Sequence, residues 1–183
     1  MHMSKAGIYD QLTSEYGDQF SAEAAQYAVD NMTADWNANA LATAENYNET
    51  MHMSKAGLYD QLTSESGEKF TAEEAQYAVD NINADWNANA LETAKDYRDN
   101  MDMSPEAIRD QLTSEYGEKF DADAAQYAID NMTADWNANA LAKAKEYQKT
   151  LAMSKSAIYD QLTSEYGEKF TAEEAQYAVD NLE

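Results

Sequence analysis

The sequence repeats itself with a period of 50 residues, and this periodicity constrains the fold more than any other feature. The segment DWNANAL at residues 35–41 returns at residues 85–91 and 135–141, and DQLTSE at residues 10–15 returns three times. A period of this length is typical of an array of small modules rather than one large domain. No linker rich in Pro, Gly or Ser separates the copies, so neighbouring modules are expected to touch.

Each copy contains a stretch that we name helix B, for its place in the order A, B, C within a complete repeat. Ser4 is suited to the N-cap, and Ile8 and Leu12 are spaced as on one buried helical face. Gly17 is placed for a left-handed C-cap, so we expect helix B to stop there. In the third copy Pro105 occupies the first helical position, where its missing N–H costs no hydrogen bond.

A short turn through Phe20 leads to a second helix, helix C. The segment TAEE at residues 71–74 and 171–174 matches a capping box, and Phe70 stands where a hydrophobic staple belongs. Four apolar side chains of the second copy share one face, which predicts a short amphipathic helix that runs to about Asn81: Ala75, Ala78, Val79 and Ile82.

A longer, alanine-rich helix A is predicted to start near Ala34 or Asp35 and to continue to about His52. Its apolar side chains follow a period close to 3.6 residues: Trp36, Ala40, Ala44, Tyr47 and Met51. Whether helix C continues into helix A through residues 31–34 is left open, because Thr33 and Asp35 are both residues that cap helices.

The predicted fold class is therefore all-α, a tandem array of three-helix, helix-turn-helix-like repeats. Residues 1–32 form a partial repeat with helices B and C only, and complete repeats occupy residues 33–82, 83–132 and 133–183. Because the partial repeat has no helix A, Ile8, Leu12 and Phe20 need cover from another element, or this unit is less stable than the others. We expect the chain to be a fragment of a longer protein.

The charge of the chain is strongly negative, with 35 Asp and Glu against 12 Lys and Arg and a net charge of -23. Helices B and C with their turn resemble a DNA-binding helix-turn-helix, but helix C of the second copy, TAEEAQYAVD, has three acids and no base. Binding to a phosphate backbone or an anionic lipid surface requires clustered cations. The composition therefore argues against nucleic acid as a partner.

No pattern in the sequence predicts a metal, cofactor or catalytic site. The chain has no Cys, and His2 and His52 have no His or Cys partner nearby. The segment from Asp135 to Glu146 imitates the spacing of a calcium loop, but the obligatory Gly at the sixth position is Ala140. We interpret that segment as a capped helix start, and we expect the surplus carboxylates to lie on solvated faces rather than to form an acid–base pair.

The aromatic side chains allow two interpretations, binding anchors or core. Core packing is favoured for the tryptophans Trp36, Trp86 and Trp136, and the choice is left open for the tyrosines Tyr27, Tyr77, Tyr127 and Tyr177. A second tyrosine series is predicted to be exposed, because Arg109 replaces tyrosine in the third copy: Tyr9, Tyr59 and Tyr159.

Four segments of the second copy together resemble the repeat of the host cell surface-exposed lipoprotein family of Gram-positive bacteria and their phages: residues 53–65, 67–70, 75–80 and 85–87. The resemblance implies a helical module displayed outside the cell on an N-terminal lipid anchor. It also implies, for phage-borne members, superinfection exclusion by blocking the entry of DNA from a second phage. The present sequence lacks a signal peptide and a lipid-accepting Cys, so membrane contact is expected only through an anchor upstream of Met1 in the parent protein.

The leading hypothesis is a non-catalytic, acidic protein-interaction module on the extracellular face of the cell membrane, with a phage tail component as partner. The residues expected to contact the partner lie on an exposed acidic face: Glu65, Glu68, Glu73, Glu74, Asp80, Asp123, Asp130, Glu173 and Glu174. The alternative is a structural spacer or surface coat protein of a Gram-positive cell. An intracellular regulator that binds nucleic acid is a third class, which the charge disfavours.

Overall fold

A computed structural model of the chain describes residues 2–183, and Met1 lies outside the described residues. Those residues form eleven α-helices and no strand, which confirms the all-α class. The helices are α1 (Lys5–Thr13), α2 (Ala22–Asn31), α3 (Trp36–Met51), α4 (Lys55–Thr63), α5 (Ala72–Asn81), α6 (Trp86–Met101), α7 (Pro105–Thr113), α8 (Ala122–Asn131), α9 (Trp136–Leu151), α10 (Lys155–Thr163) and α11 (Ala172–Asp180).

The helices fall into the three predicted types and into two compact units. Helix A corresponds to α3, α6 and α9, helix B to α1, α4, α7 and α10, and helix C to α2, α5, α8 and α11. The first unit, residues 1–85, holds one B–C pair and one complete repeat, whereas the second unit, residues 86–183, holds two complete repeats.

The helix starts follow the capping residues that the sequence predicted. The Ser4 hydroxyl accepts a hydrogen bond from the Gly7 N–H at 2.9 Å. Reciprocal capping boxes join the Thr71 and Glu74 side chains to each other's backbone N–H groups, and the same boxes form at residues 171–174. Asp135 caps α9, so the segment that imitates a calcium loop is a helix.

Helix B ends earlier than Gly17, so the prediction of a left-handed glycine C-cap is wrong. Helix α1 ends at Thr13, and no glycine among the described residues has a positive φ. The left-handed residue stands two positions later, where Gln19 has φ 56° and Lys69 has φ 56°. Glycine is required at position 17 for space, because a Cβ would lie 2.2 Å from the Gln11 carbonyl oxygen.

Helices C and A are separate, which answers the question that the sequence left open. Met32 and Ile82 follow helix C with extended backbone, and helix A begins four residues after each of them, at Trp36 and Trp86. Asp35 is the N-cap of α3.

The cores of the complete repeats are built alike, with exchanges among aliphatic side chains and methionine at equivalent positions. In the fourth repeat, α9 contributes Ala140 and Ala144, α10 contributes Ile158 and Leu162, and the turn contributes Phe170. Helix C closes the cluster with three small side chains: Ala175, Ala178 and Val179. Alanine on helices A and C lets the helix backbones approach closely. Two aliphatic side chains of helix B and one Phe of the turn are therefore enough to fill the space between the three helices.

The B–C pair at residues 5–31 has the same sequence pattern but no helix A against it. Phe20 is 55% exposed, whereas Phe70, its counterpart in the second repeat, is 3% exposed. Ile8 and Leu12 are half-buried, whereas Leu58 and Leu62 are fully buried. The uncovered positions are those that the sequence predicted to need cover.

Two predictions about aromatic residues need correction. Trp36, Trp86 and Trp136 are half-buried rather than core residues, and Trp136 packs at the margin of the cluster of the preceding repeat. Tyr9, Tyr59 and Tyr159 are half-buried rather than exposed, and Tyr159 packs against the cluster of the fourth repeat. Arg109 fits the same place because its aliphatic stem can cover apolar surface while its guanidinium reaches Gln126 and Glu106.

Successive repeats within a unit are joined by backbone-directed hydrogen bonds and one ion pair. In the first unit, the Ser4 hydroxyl donates to the Glu68 carbonyl at 2.5 Å, and the Asn39 amide donates to the Met3 carbonyl at 3.0 Å. Lys69, held in the left-handed conformation, forms an ion pair with Asp10.

The second unit has the same joint. Ser104 donates to the Glu168 carbonyl at 2.5 Å, Asn139 donates to the Met103 carbonyl at 3.3 Å, and Lys169 pairs with Asp110. The role of these residues in joining repeats was not predicted from the sequence, where Ser4 was expected only to cap helix B. Their recurrence at a spacing of 50 is the signal that points to it.

Phe70→Ala is expected to destabilise the chain by about 3 to 5 kcal/mol, because it empties a packed site between three helices. The matched change Phe20→Ala should cost no more than about 1 kcal/mol, because that ring is already largely in water. Urea unfolding followed by far-ultraviolet circular dichroism measures both. Equal losses would contradict the role assigned to helix A as the cover of the core.

Ser104→Ala is expected to cost about 2 kcal/mol, since it removes a helix cap at a buried position and leaves the part-buried Glu168 carbonyl without its donor. Ser154 caps α10 in the same way but is exposed, so Ser154→Ala should cost about 1 kcal/mol. Urea unfolding midpoints of the two variants give the comparison. A cost for Ser104→Ala no larger than for Ser154→Ala would show that the joint contributes nothing to stability.

Candidate protein-interaction surface

The nine predicted contact residues lie on the B–C turn and on helix C. Six of them are exposed: Glu65, Glu73, Asp80, Asp123, Asp130 and Glu173. The other three, Glu68, Glu74 and Glu174, are half-buried, which departs from the solvated face that the sequence predicted for them. The reason in each case is a hydrogen bond within the repeat.

Glu68 connects two repeats rather than facing solvent alone. Its carboxylate accepts a hydrogen bond from the Tyr47 hydroxyl at 2.6 Å, and its carbonyl accepts the bond from Ser4. Tyr97 and Tyr147 donate in the same way to Glu118 and Glu168. The tyrosine of helix A therefore anchors the turn of its own repeat. In the second and fourth repeats the same turn also contacts the repeat before it.

Glu74 and Glu174 are occupied by their capping boxes, and their carboxylates accept from the N–H groups of Thr71 and Thr171. Asp80 accepts from Lys55 at 2.7 Å and from Gln76 at 2.8 Å, and these bonds hold the pKa of that carboxyl below its ordinary value. These carboxylates have part of their hydrogen-bonding capacity already used within the repeat.

The outward side of helix C, which we name the acidic face, repeats the same residue types in each complete repeat. In α5 it consists of Glu73, Gln76, Tyr77 and Asp80. Its tyrosines are exposed by similar amounts in the complete repeats: 41% for Tyr77, 41% for Tyr127 and 43% for Tyr177. The tyrosines whose place the sequence left open are therefore surface residues.

Many of the basic side chains are held against carboxylates of the same unit. These ion pairs include Lys5–Asp30, Lys55–Asp80, Lys69–Asp10, Lys95–Glu92, Arg98–Asp99, Arg109–Glu106, Lys143–Glu146 and Lys169–Asp110. Even if every base neutralised one acid, a charge of -23 would remain. Such a surface attracts cationic polypeptides and repels phosphate backbones.

The turn between helices B and C carries a feature that the sequence analysis missed. Tyr16, Tyr116 and Tyr166 are fully exposed, at 99%, 102% and 100%. Ser66 occupies this position in the second repeat. The sequence signal was the SEYG segment after helix B, where the tyrosine directly precedes a glycine that packs against the helix.

Residues 2–183 contain neither a cluster of metal-binding side chains nor a membrane-spanning helix. Over that range, no group of three or more His, Cys, Asp or Glu side chains is arranged to hold a metal ion. Nor does any helix in the same range have the length and apolar character needed to cross a membrane. The arrangement of exposed carboxylates and tyrosines on recurring helices is suited to binding a protein.

Comparison with known proteins supports the resemblance found in the sequence. The model of a family described as host cell surface-exposed lipoprotein matches residues 1–32, 35–82, 85–132 and 135–182. A solved structure, that of Ltp, a superinfection exclusion protein from the Streptococcus thermophilus temperate phage TP-J34, is 41% identical with a TM-score of 0.50. The match covers 56% of this chain and 100% of that chain. No curated protein matches the sequence.

Stability is expected to fall at alkaline pH because of the tyrosines that anchor the turns. Burial and the hydrogen bond to a glutamate raise the pKa of Tyr97 and of Tyr147 to about 12. Since the ordinary value is about 10, the folded state holds these protons more tightly than the unfolded state. Their stabilising contribution is therefore complete below pH 10 and is lost as the pH rises through about 12.

The measurement is the urea midpoint between pH 9 and pH 12, for the parent chain and for the Tyr97→Phe/Tyr147→Phe variant. The variant should be less stable at neutral pH but should lose less stability across the alkaline range. All other residues are identical in the two chains, so the difference between their pH profiles isolates the two anchors. Parallel pH profiles would disprove the assignment.

Proposed function

The chain belongs to the family of host cell surface-exposed lipoproteins, and we propose that it acts as an acidic, multivalent protein-interaction module that excludes superinfecting phages. The observation that carries the proposal is the recurrence of exposed carboxylates and a tyrosine on the acidic face of each complete repeat. The similarity to a superinfection exclusion protein supports the biological setting.

The partner we propose is a phage tail component that presents a basic or mixed polar surface. The net charge of -23 and the internal ion pairs favour a cationic partner, because long-range attraction speeds its approach and like charge repels nucleic acid. No catalytic step is required, since a tail component held at the cell surface cannot complete its task.

Repetition of the acidic face contributes to affinity in this proposal. When a partner has bound one repeat, its second binding segment is held close to the following repeat. Binding of that second segment is then effectively intramolecular. Weak individual contacts therefore combine into a useful affinity. The six exposed carboxylates named above are the residues that we expect to contact the partner.

The direct test is binding of the purified chain to purified tail proteins over a salt series. Affinity is expected to fall about tenfold or more between low salt and about 500 mM NaCl, because screening weakens contacts between exposed charges. Affinity that does not change with salt, or no binding to any tail protein, would overturn the proposed mode of recognition.

A length-preserving variant distinguishes a binder from a structural spacer. Glu73→Gln/Asp123→Asn/Glu173→Gln neutralises one exposed carboxylate in each complete repeat, and the control Glu45→Gln/Glu49→Gln/Asp96→Asn makes the same charge change on helix A, also at exposed positions. Displayed on cells, the first variant is expected to lose most of its protection against infection, and the control to keep it. Full protection by both variants would favour the spacer or coat.

A further inference from the structure

An open groove in the second repeat combines aromatic surface with carboxylates. It lies between the start of α3 and the first turns of α5 and has a volume of about 570 Å³. We name it the aromatic–carboxylate groove, and its lining includes Asp35, Trp36, Thr71, Glu73, Glu74 and Tyr77. Lys and Arg are absent from its lining.

The chemistry of this groove differs from that of the neighbouring groove in the first unit. The neighbour, about 350 Å³ in volume, is lined by Lys5, Asp10 and Lys69, and both lysines already form ion pairs with acids of this chain. The carboxylates beside this neighbouring groove are therefore already paired with lysines of the chain itself. The aromatic–carboxylate groove has three acids and two aromatic rings, and a cation must come from a partner.

The local electrostatics of the groove remain negative despite the helix ends that border it. The N-termini of α3 and α5 each contribute roughly half a positive charge. Asp35 and Glu74 accept backbone hydrogen bonds there, from Ala38 and Thr71, and Glu73 adds a third negative charge at an exposed position. Three carboxylates therefore outweigh two helix ends by about two charges.

The aromatic groups specify the kind of cation. Trp36 is half-buried, and Tyr77 is 41% exposed, so both rings keep surface available to a ligand. The face of a tryptophan or tyrosine attracts a cation, and a guanidinium can stack on a ring while it donates two hydrogen bonds to a carboxylate. An arginine side chain satisfies both kinds of group in one contact, and a lysine satisfies them less completely.

The same residues recur in the fourth repeat within the second unit. Trp136 is half-buried, Tyr177 is 43% exposed, Glu173 is exposed, and Asp135 and Glu174 cap α9 and α11. The first repeat has the tyrosine, Tyr27, but no helix A to supply a tryptophan, and that tyrosine is 72% exposed. The chain therefore contains its own comparison site without the groove.

We propose that the aromatic–carboxylate groove and its counterpart in the fourth repeat bind arginine side chains of a basic polypeptide segment. This inference rests on the proposed function, because it assumes a protein partner. It adds the binding site on this chain and the partner side chain, arginine, that the site accepts. Two sites in one chain would select partners with repeated basic residues.

The test uses a short oligo-arginine peptide and an oligo-lysine peptide of equal length as probes, with tryptophan fluorescence as the readout in about 150 mM NaCl, where long-range attraction is screened. Tyr77→Ser/Tyr177→Ser is expected to weaken oligo-arginine binding roughly threefold to tenfold and to reduce the preference for arginine over lysine. The control Tyr16→Ser/Tyr27→Ser removes two exposed tyrosines outside the grooves and should change neither quantity.

The outcomes separate the groove from the proposed function. Failure of the chain to bind oligo-arginine would overturn the assignment of the groove as an arginine site. Equal affinity of the two tyrosine variants for oligo-arginine would overturn it as well. In either case the chain could still protect cells against infection. A loss of oligo-arginine affinity in Tyr77→Ser/Tyr177→Ser but not in the control would support the groove as an arginine site. This would hold even if cells displaying the chain were not protected against infection. Circular dichroism of both variants verifies that each is folded.

Discussion

The packing of an alanine-lined helix A over an aliphatic pair and a phenylalanine is the interaction on which each complete repeat depends. Burial of one such large side chain contributes about 1.5 to 3 kcal/mol, and a complete repeat has few of them. The B–C pair at residues 5–31 has the same residues, yet Phe20 stays 55% exposed because no helix A lies against it. Small side chains on helix A are therefore as important as the large ones beneath, since only alanine allows three helices to approach closely enough to close the core.

The joints between repeats use groups that leave the outer surface free for recognition. A serine hydroxyl, an asparagine amide and a single lysine make the contacts in both units, and two of the three are directed to backbone carbonyls. The left-handed backbone at Lys69 and Lys169 directs each lysine toward the repeat before it, so these cations support the array rather than the surface. The carboxylates of helix C consequently stay outward in surplus, which gives this chain the negative outer surface on which the proposed attraction to basic protein depends.

Much of the fold could be predicted from the sequence, because its determinants are local. Capping residues, the 3.6-residue period and the 50-residue repeat identified three helix types and their approximate bounds, and the missing helix A identified the exposed positions of the first pair. The candidate surface could be predicted only in part. Glu68 looks like any other acid in the sequence, but Tyr47 reaches it from a residue 21 positions away, and Ser4 binds its carbonyl from 64 positions away.

The chain order therefore specified the helices, the period and the sign of the charge, since each depends on neighbours within a few residues or on composition alone. Tertiary structure decided which acids are used in internal hydrogen bonds between repeats or helices, and how Trp36 and Tyr77 come to line one groove with three carboxylates. Those features arise where segments distant in sequence meet. The geometry of such a meeting depends on how three helices fill space, and no local pattern encodes that.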